Sequence, residues 1–214
     1  MKSQHFRYPI LFIIFGISLT SSLIQAQTTY NERIERYKDK WQRLIPTYYK
    51  TQFAGGMGLV SVGTGWDYGK NNQWETDIFL GFLPKYSTDK TKLTFTLKQN
   101  FIPWEIHVNH RLSISPLTCG MYLNTIFGSE YWTTEPDKYP NDYYSFSTKM
   151  RIYVFAGQRF TWNINPRKRH YARSLSFFYE FNTNDLYLAS AATNSYLSAK
   201  DIVKLSLGIK VQVF

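Results

Sequence analysis

The chain has 214 residues, with 25 Lys and Arg against 15 Asp and Glu, and 18 % of its residues are aromatic, including 17 Tyr, 16 Phe and 6 Trp. Its one cysteine, Cys119, excludes an internal disulfide and a paired-cysteine metal site. The length suits one domain, and the bases are spread through the chain, which points away from a nucleic-acid footprint and towards anionic lipid headgroups.

Residues 1–26 read as a secretory signal peptide. Lys2 and Arg7 form a basic start, residues 8–24 an apolar run, and Ala26 the small residue at the cleavage point. The run is shorter than the roughly 20 apolar residues a spanning helix needs. Cleavage would leave 188 residues (214 minus 26) with a net charge of +8, from 23 bases and 15 acids. Export then follows the Sec pathway. Within 27–50, Ile34, Tyr37, Trp41, Leu44 and Ile45 recur at helical spacing among charged residues until Pro46. This predicts a short amphipathic helix that plugs the domain, caps it or lies on a membrane surface.

From Thr51 onward the period becomes 2, which marks strands with two different faces. Eight strands are predicted in 51–214. The first is a Gly-rich strand over 51–66. In the second, Trp74, Ile78, Leu80 and Phe82 alternate with Glu75, Asp77 and Gly81, and in the third Leu93, Phe95 and Leu97 alternate with Thr94, Thr96 and Lys98. The fourth carries Trp104, Ile106 and Val108 against Glu105 and His107, and the fifth covers 117–127. Ile152, Val154 and Ala156 mark the sixth, Leu175, Phe177, Tyr179 and Phe181 the seventh. The eighth is the most regular, with Leu205, Leu207, Ile209 and Val211 against Lys204, Ser206, Gly208 and Lys210. With a periplasmic N-terminus, connections 67–72, 100–103, 128–145 and 185–200 face outside. Connections 87–90, 115–116 and 163–170 then face the periplasm.

A soluble lipocalin-like carrier alternates too, so the composition of the polar face decides between the two. That face carries both signs of charge, at Glu75, Asp77, Lys98, Glu105, Arg111, Arg151, Glu180, Lys204 and Lys210, while the apolar face is nearly free of charge. An ion network filling a narrow lumen is the expected arrangement. The fold class is therefore all-β: an eight-stranded antiparallel up-and-down transmembrane β-barrel with a short N-terminal amphipathic helix.

The stretch Phe127 to Thr148, the run Phe155-Ala-Gly-Gln-Arg-Phe160 and the run Phe178-Tyr-Glu-Phe-Asn-Thr-Asn-Asp-Leu-Tyr-Leu188 resemble an uncharacterised family of small outer-membrane β-barrel proteins of Bacteroidota-type bacteria. The resemblance spans about 51–214. It implies an outer-membrane location and a barrel fold, and carries no catalytic residues. Phe214 resembles the terminal signal read by the barrel-assembly machinery, although its parity is opposite to that of Val213, Val211 and Ile209.

Small barrels of this kind include lipid A deacylases, whose chemistry needs a nucleophile, a base and an orienting acid. His107 with Glu105 and Ser176 is the one candidate set, with Ser113 and Ser174 as other hydroxyls, against the simpler reading of His107 as a lumen residue. His107 and His110 stand three apart, which on a strand puts them on opposite faces, so no metal is expected. The loop residues Glu130, Trp132, Glu135, Asp137, Tyr139 and Asp142 suit a cation or a sugar, but such a loop more often folds over a barrel mouth. The glycines between Gly55 and Gly65 lack the Lys-Ser or Lys-Thr of a phosphate loop and are read as relieving crowding in a curved strand. The expected function is a structural or surface ligand-binding barrel without catalysis or cofactor. The alternatives are a lipid-modifying hydrolase and a soluble carrier. The expected partners are outer-membrane lipid, lipopolysaccharide and the assembly machinery, with no nucleic acid, and the expected state is a monomer.

Overall fold

A computed structural model describes residues 34–38, 40–85, 91–128, 149–193 and 198–214. The signal segment and loop residues Glu130, Trp132, Glu135, Asp137, Tyr139 and Asp142 lie outside the described residues. The chain divides at 45/46. Before that point, residues 34–38 and 40–42 are helical, and Tyr37 and Trp41 meet edge to face at 5.9 Å. Tyr37, Trp41, Leu44 and Ile45 are all exposed.

From Pro46 onward the chain is a barrel. Its strands are β1 (Tyr48–Ala54), β2 (Val60–Tyr68), β3 (Trp74–Leu83), β4 (Lys92–Phe101), β5 (Ile106–His107), β6 (Leu112–Phe127), β7 (Met150–Asn163), β8 (Ser174–Asn184) and β9 (Lys204–Gln212). Every pairing is antiparallel. β1 pairs with β9 and β4 with β6, so the long strands form a closed eight-stranded ring without edges. β5 stays outside the ring as a two-residue partner of β6.

The strand count is therefore eight, but four boundaries differ from the sequence reading. Residues 51–66 are two strands joined by a 3₁₀ turn at Gly55–Met57, because Gly55 and Gly58 adopt positive φ (82° and 129°) and reverse the chain. The segment 104–108 contributes only β5 and is not a wall strand. Residues 115–116 are no turn: β6 runs through them, and its register shifts between Ser115 and Thr118. Pro116 has no N–H to give the ladder, so a bulge accommodates it. The barrel also starts at Tyr48 rather than 51.

These changes correct the sidedness of the connections. Strand directions place 69–73, 102–111 and 164–173 at the end that carries Tyr48 and Gln212. The strand ends that flank 55–59, 84–91, 128–149 and 185–203 are at the opposite end. Thus 67–72 and 100–103 move to the termini's side, while 87–90 lies outside the described residues and the strand ends that flank it, Leu83 and Lys92, are at the other end. The strand ends that flank the two long connections are opposite the termini, as expected.

The pleat sorts side chains into two environments, with period 2. Outward positions are apolar and exposed, among them Leu80 (59 %), Met121 (58 %), Leu93 (56 %) and Phe53 (52 %). Inward positions are polar or charged and buried, with Asp77 and Lys98 at 0 % exposure and Glu75 at 1 %. The bulge in β6 switches the inward parity from Ser113 and Ser115 to Thr118, Tyr122 and Asn124. This is the reverse of a water-soluble core.

Candidate functional site

The lumen is layered along the barrel axis. Towards the termini, β3 projects Glu75 and Asp77 inward, and four other strands, β1, β4, β7 and β9, supply their partners. Glu75 accepts from Lys50 Nζ at 2.8 Å and from Lys210 Nζ at 2.6 Å, and it accepts a fork from Arg159 Nη1 and Nη2 at 2.6 and 2.8 Å. Asp77 accepts from Lys50 Nζ at 2.7 Å, from Asn100 Nδ2 at 2.8 Å and from the Tyr48 hydroxyl. Buried charges persist only when paired and hydrogen-bonded, and here two acids hold three cations. Lys50 and Lys210 also lie 4.9 and 3.9 Å from the Tyr48 ring centroid, so an aromatic face shares the excess positive charge.

Midway, Lys98 donates to both oxygens of Glu180 at 2.7 and 2.6 Å. Its ammonium stands 4.1 Å from the Phe155 ring centroid. Beyond it, Met57, Phe79, Tyr122 and Phe155 form an apolar cluster with Tyr153, whose ring stacks on Tyr122 at 4.6 Å. Met57 reaches this layer because the turn at Gly55–Met57 folds inward. Its carbonyl accepts from Thr94 Oγ1 and from Ser61 Oγ (3.3 Å), and the Gly56 carbonyl accepts from Asn124 Nδ2. A Cβ at Gly56 would strike the Tyr153 ring, and one at Gly81 would strike the Met57 carbonyl. The turn thus packs the lumen at the end opposite the termini.

At the termini's end a cavity of about 530 Å³ descends to Glu75, Arg159 and Lys210, with Asp67, Trp104 and Arg173 among its other lining residues. Arg159 is buried, and its Nε has no hydrogen-bond partner. Polar side chains above it include the Thr161 and Ser176 hydroxyls, paired at 2.9 Å, and the Asn163 amide, which donates to Ser113 Oγ at 3.2 Å.

Of the nine residues expected in a lumen network, Glu75, Asp77, Lys98, Glu180 and Lys210 come together there. The others do not join them. Glu105 and Arg111 are exposed at the termini's mouth, Arg151 Nη1 lies 3.6 Å from Asp185 at the opposite end, and Lys204 is exposed with Nζ 5.9 Å from the Tyr187 ring. The physical reason is position: these residues share the polar parity but sit at strand ends or beyond, where the wall no longer covers them. His107, expected to face the lumen, is exposed on β5. It lines the same cavity as Glu105 and Ser176, but Ser176 lies in the buried wall, where its hydroxyl is shared with Thr161. Sequence reasoning missed Lys50 and Arg159. Lys50 fell within the segment assigned to the helix, and Arg159 lies two residues beyond Gly157, past the apolar pattern that marked the sixth strand.

Among the described residues, no group of three His, Cys, Asp or Glu could hold a metal ion, and no helix is long and apolar enough to cross a membrane, which leaves crossing by strands untouched. No protein family, curated protein or solved structure matches the chain.

Proposed function

We propose that this chain is a small bacterial outer-membrane β-barrel, exported by the Sec pathway, whose role is structural or ligand-binding rather than catalytic. One observation carries this reading: the closed barrel is apolar outside and charged inside. In water, an outer face carrying Leu80, Leu93, Met121 and Ile152 at more than half exposure would be a large uncovered apolar surface, which soluble monomers avoid. In a bilayer the same face is solvated by lipid, and the closed ladder leaves no backbone group unpaired at an edge. A soluble carrier of lipocalin type has the opposite polarity.

The role is framed by the lumen. Side chains fill it through two layers of ion pairs and an inward turn, so the barrel is a cup open at the termini's end rather than a channel. Ligand recognition then belongs to the connections, chiefly 128–149 and 185–203. Cell fractionation tests the location: the protein should pellet with the outer membrane and run faster on a gel when unboiled. Recovery in the soluble periplasm would overturn the reading.

The lipid-hydrolase alternative draws on the shared cavity of His107, Glu105 and Ser176. Its nucleophile would be a wall hydroxyl already paired with Thr161 Oγ1. Lipid A from a deletion strain should keep its acyl pattern, and a changed pattern would favour the hydrolase.

A further inference from the structure

The mouth at the termini's end is basic. The connections 69–73, 102–111 and 164–173, at the termini's end, hold six Lys and Arg and one acid, Glu105. Most of the basic excess sits in one turn, 164–173.

That turn is anchored rather than loose. Ile164 N donates to the Arg173 carbonyl at 3.1 Å, and Arg173 N donates to the Gln212 carbonyl at 2.7 Å, so the turn is tied to the end of β9. Arg169 Nε donates to the Ile164 carbonyl at 2.9 Å, which holds its guanidinium stem in place. Between turn and chain end lies a second cavity, of about 290 Å³, lined by Arg169, His170 and Arg173 together with Tyr171, Val213 and Phe214. Tyr171 is 88 % exposed and Phe214 65 %. Directly alongside, paired across β7, β8 and β9, the outward-facing residues Trp162, Leu175 and Val211 begin the apolar outer face. A basic pocket therefore opens onto an apolar wall.

We propose that this pocket seats the headgroup phosphate of an anionic phospholipid, with the acyl chains running along Trp162, Leu175 and Val211. The inference rests on the outer-membrane reading. Arginine suits the task because its fork of N–H donors matches phosphate oxygens and stays charged. Tyr171 is of the amphipathic aromatic type that settles at headgroup level, and Phe214 adds exposed apolar surface beside it. A free phosphate would use the bases but not the apolar wall. Lipopolysaccharide belongs to the leaflet at the opposite end of the barrel.

Native mass spectrometry of the full chain folded in detergent, with phosphatidylglycerol and phosphatidylcholine offered at equal concentration, tests this. The wild-type barrel should retain phosphatidylglycerol preferentially. Arg169→Gln and Arg173→Gln should each weaken that preference about fivefold, the effect of one interfacial cation. Arg111→Gln, which removes a base from the same mouth but not from this pocket, should leave it unchanged. Equal retention of the two lipids, an equal loss in Arg111→Gln, or displacement by inorganic phosphate at matched concentration would each overturn the assignment while leaving the barrel reading intact. A chain that shows no heat-modifiable folded form would overturn both.

Discussion

The two halves of the lumen solve one problem by different means. Near the termini, space between the strands is filled by charge, with Glu75 and Asp77 tying together Lys50, Arg159, Lys210, Asn100 and Tyr48. In the far half it is filled by shape, with Met57, Phe79, Tyr122 and Phe155 packed around an inward turn. A charged layer is directional: each partner must arrive in one register, because a one-residue slip turns it to the outer face. An apolar layer is tolerant of chemistry but not of volume. The charged half therefore specifies which strands meet, and the packed half closes the end.

The comparison is broken most severely at its most connected residue. Glu75→Ala removes the acceptor of three buried cations and should cost about 3–5 kcal/mol, the range for stripping one partner from a buried ion cluster. The loss is read from the urea midpoint of the barrel in detergent or lipid, and a change under about 1 kcal/mol would show that water reaches and screens these cations. In the packed half, Met57→Ala should cost roughly 2–3 kcal/mol through the cavity it leaves, since Met57 is fully buried against Phe79 and its neighbours. Gly81→Ala tests volume in the other direction. Its Cβ meets the Met57 carbonyl and Thr94 Oγ1, so it should cost about 1–3 kcal/mol and expose the turn at Gly55–Met57 to protease. If Gly81→Ala is neutral, the turn is not seated in the lumen.

Much of the barrel could be read from the chain. Alternation placed the outward rows of β3, β4, β7, β8 and β9 on the correct face, because the lumen is narrow enough to bury the inward side chains away from the strand ends, and the difference in environment is written along each strand. The Gly-rich stretch was harder. Gly63 and Gly65 leave no side chain to show a period, so the reversal at Gly55–Met57 disappeared into one long strand, although adjacent glycines are a turn signal. Trp104, Ile106 and Val108 do alternate, yet all three are exposed, and nothing local distinguishes a short flap such as β5 from a wall strand. The two departures cancel in the count of eight.

The site was legible by sign but not by depth. Glu75, Asp77, Lys98, Glu180 and Lys210 were identified because a charge in phase with the polar row of a strand marks its inner face. Glu105, Arg111, Arg151 and Lys204 share that parity and lie at the mouths, since the period gives the face of a residue but not its height along the axis. Lys50 and Arg159 needed boundaries a few residues longer than the apolar pattern supplied.

The smallest expected effect concerns the residue at the end of the chain. Phe214 lies two residues past β9, is mostly exposed, and is held through its backbone: Phe214 N and Val213 N both donate to the Thr47 carbonyl, at 3.1 and 2.9 Å. Phe214→Ala keeps those donors and should shift the unfolding free energy by no more than about 0.5 kcal/mol. Assembly in cells is a separate quantity, because a recognition signal acts on the unfolded chain and leaves no trace in the stability of the product. Comparing the amount of heat-modifiable barrel in the outer membrane with the stability of the purified variant separates the two roles. Equal stability with far less barrel would assign Phe214 to recognition by the assembly machinery despite its parity, whereas equal stability with equal yield would leave Val213 and the regular alternation of β9 as the features that end the chain correctly.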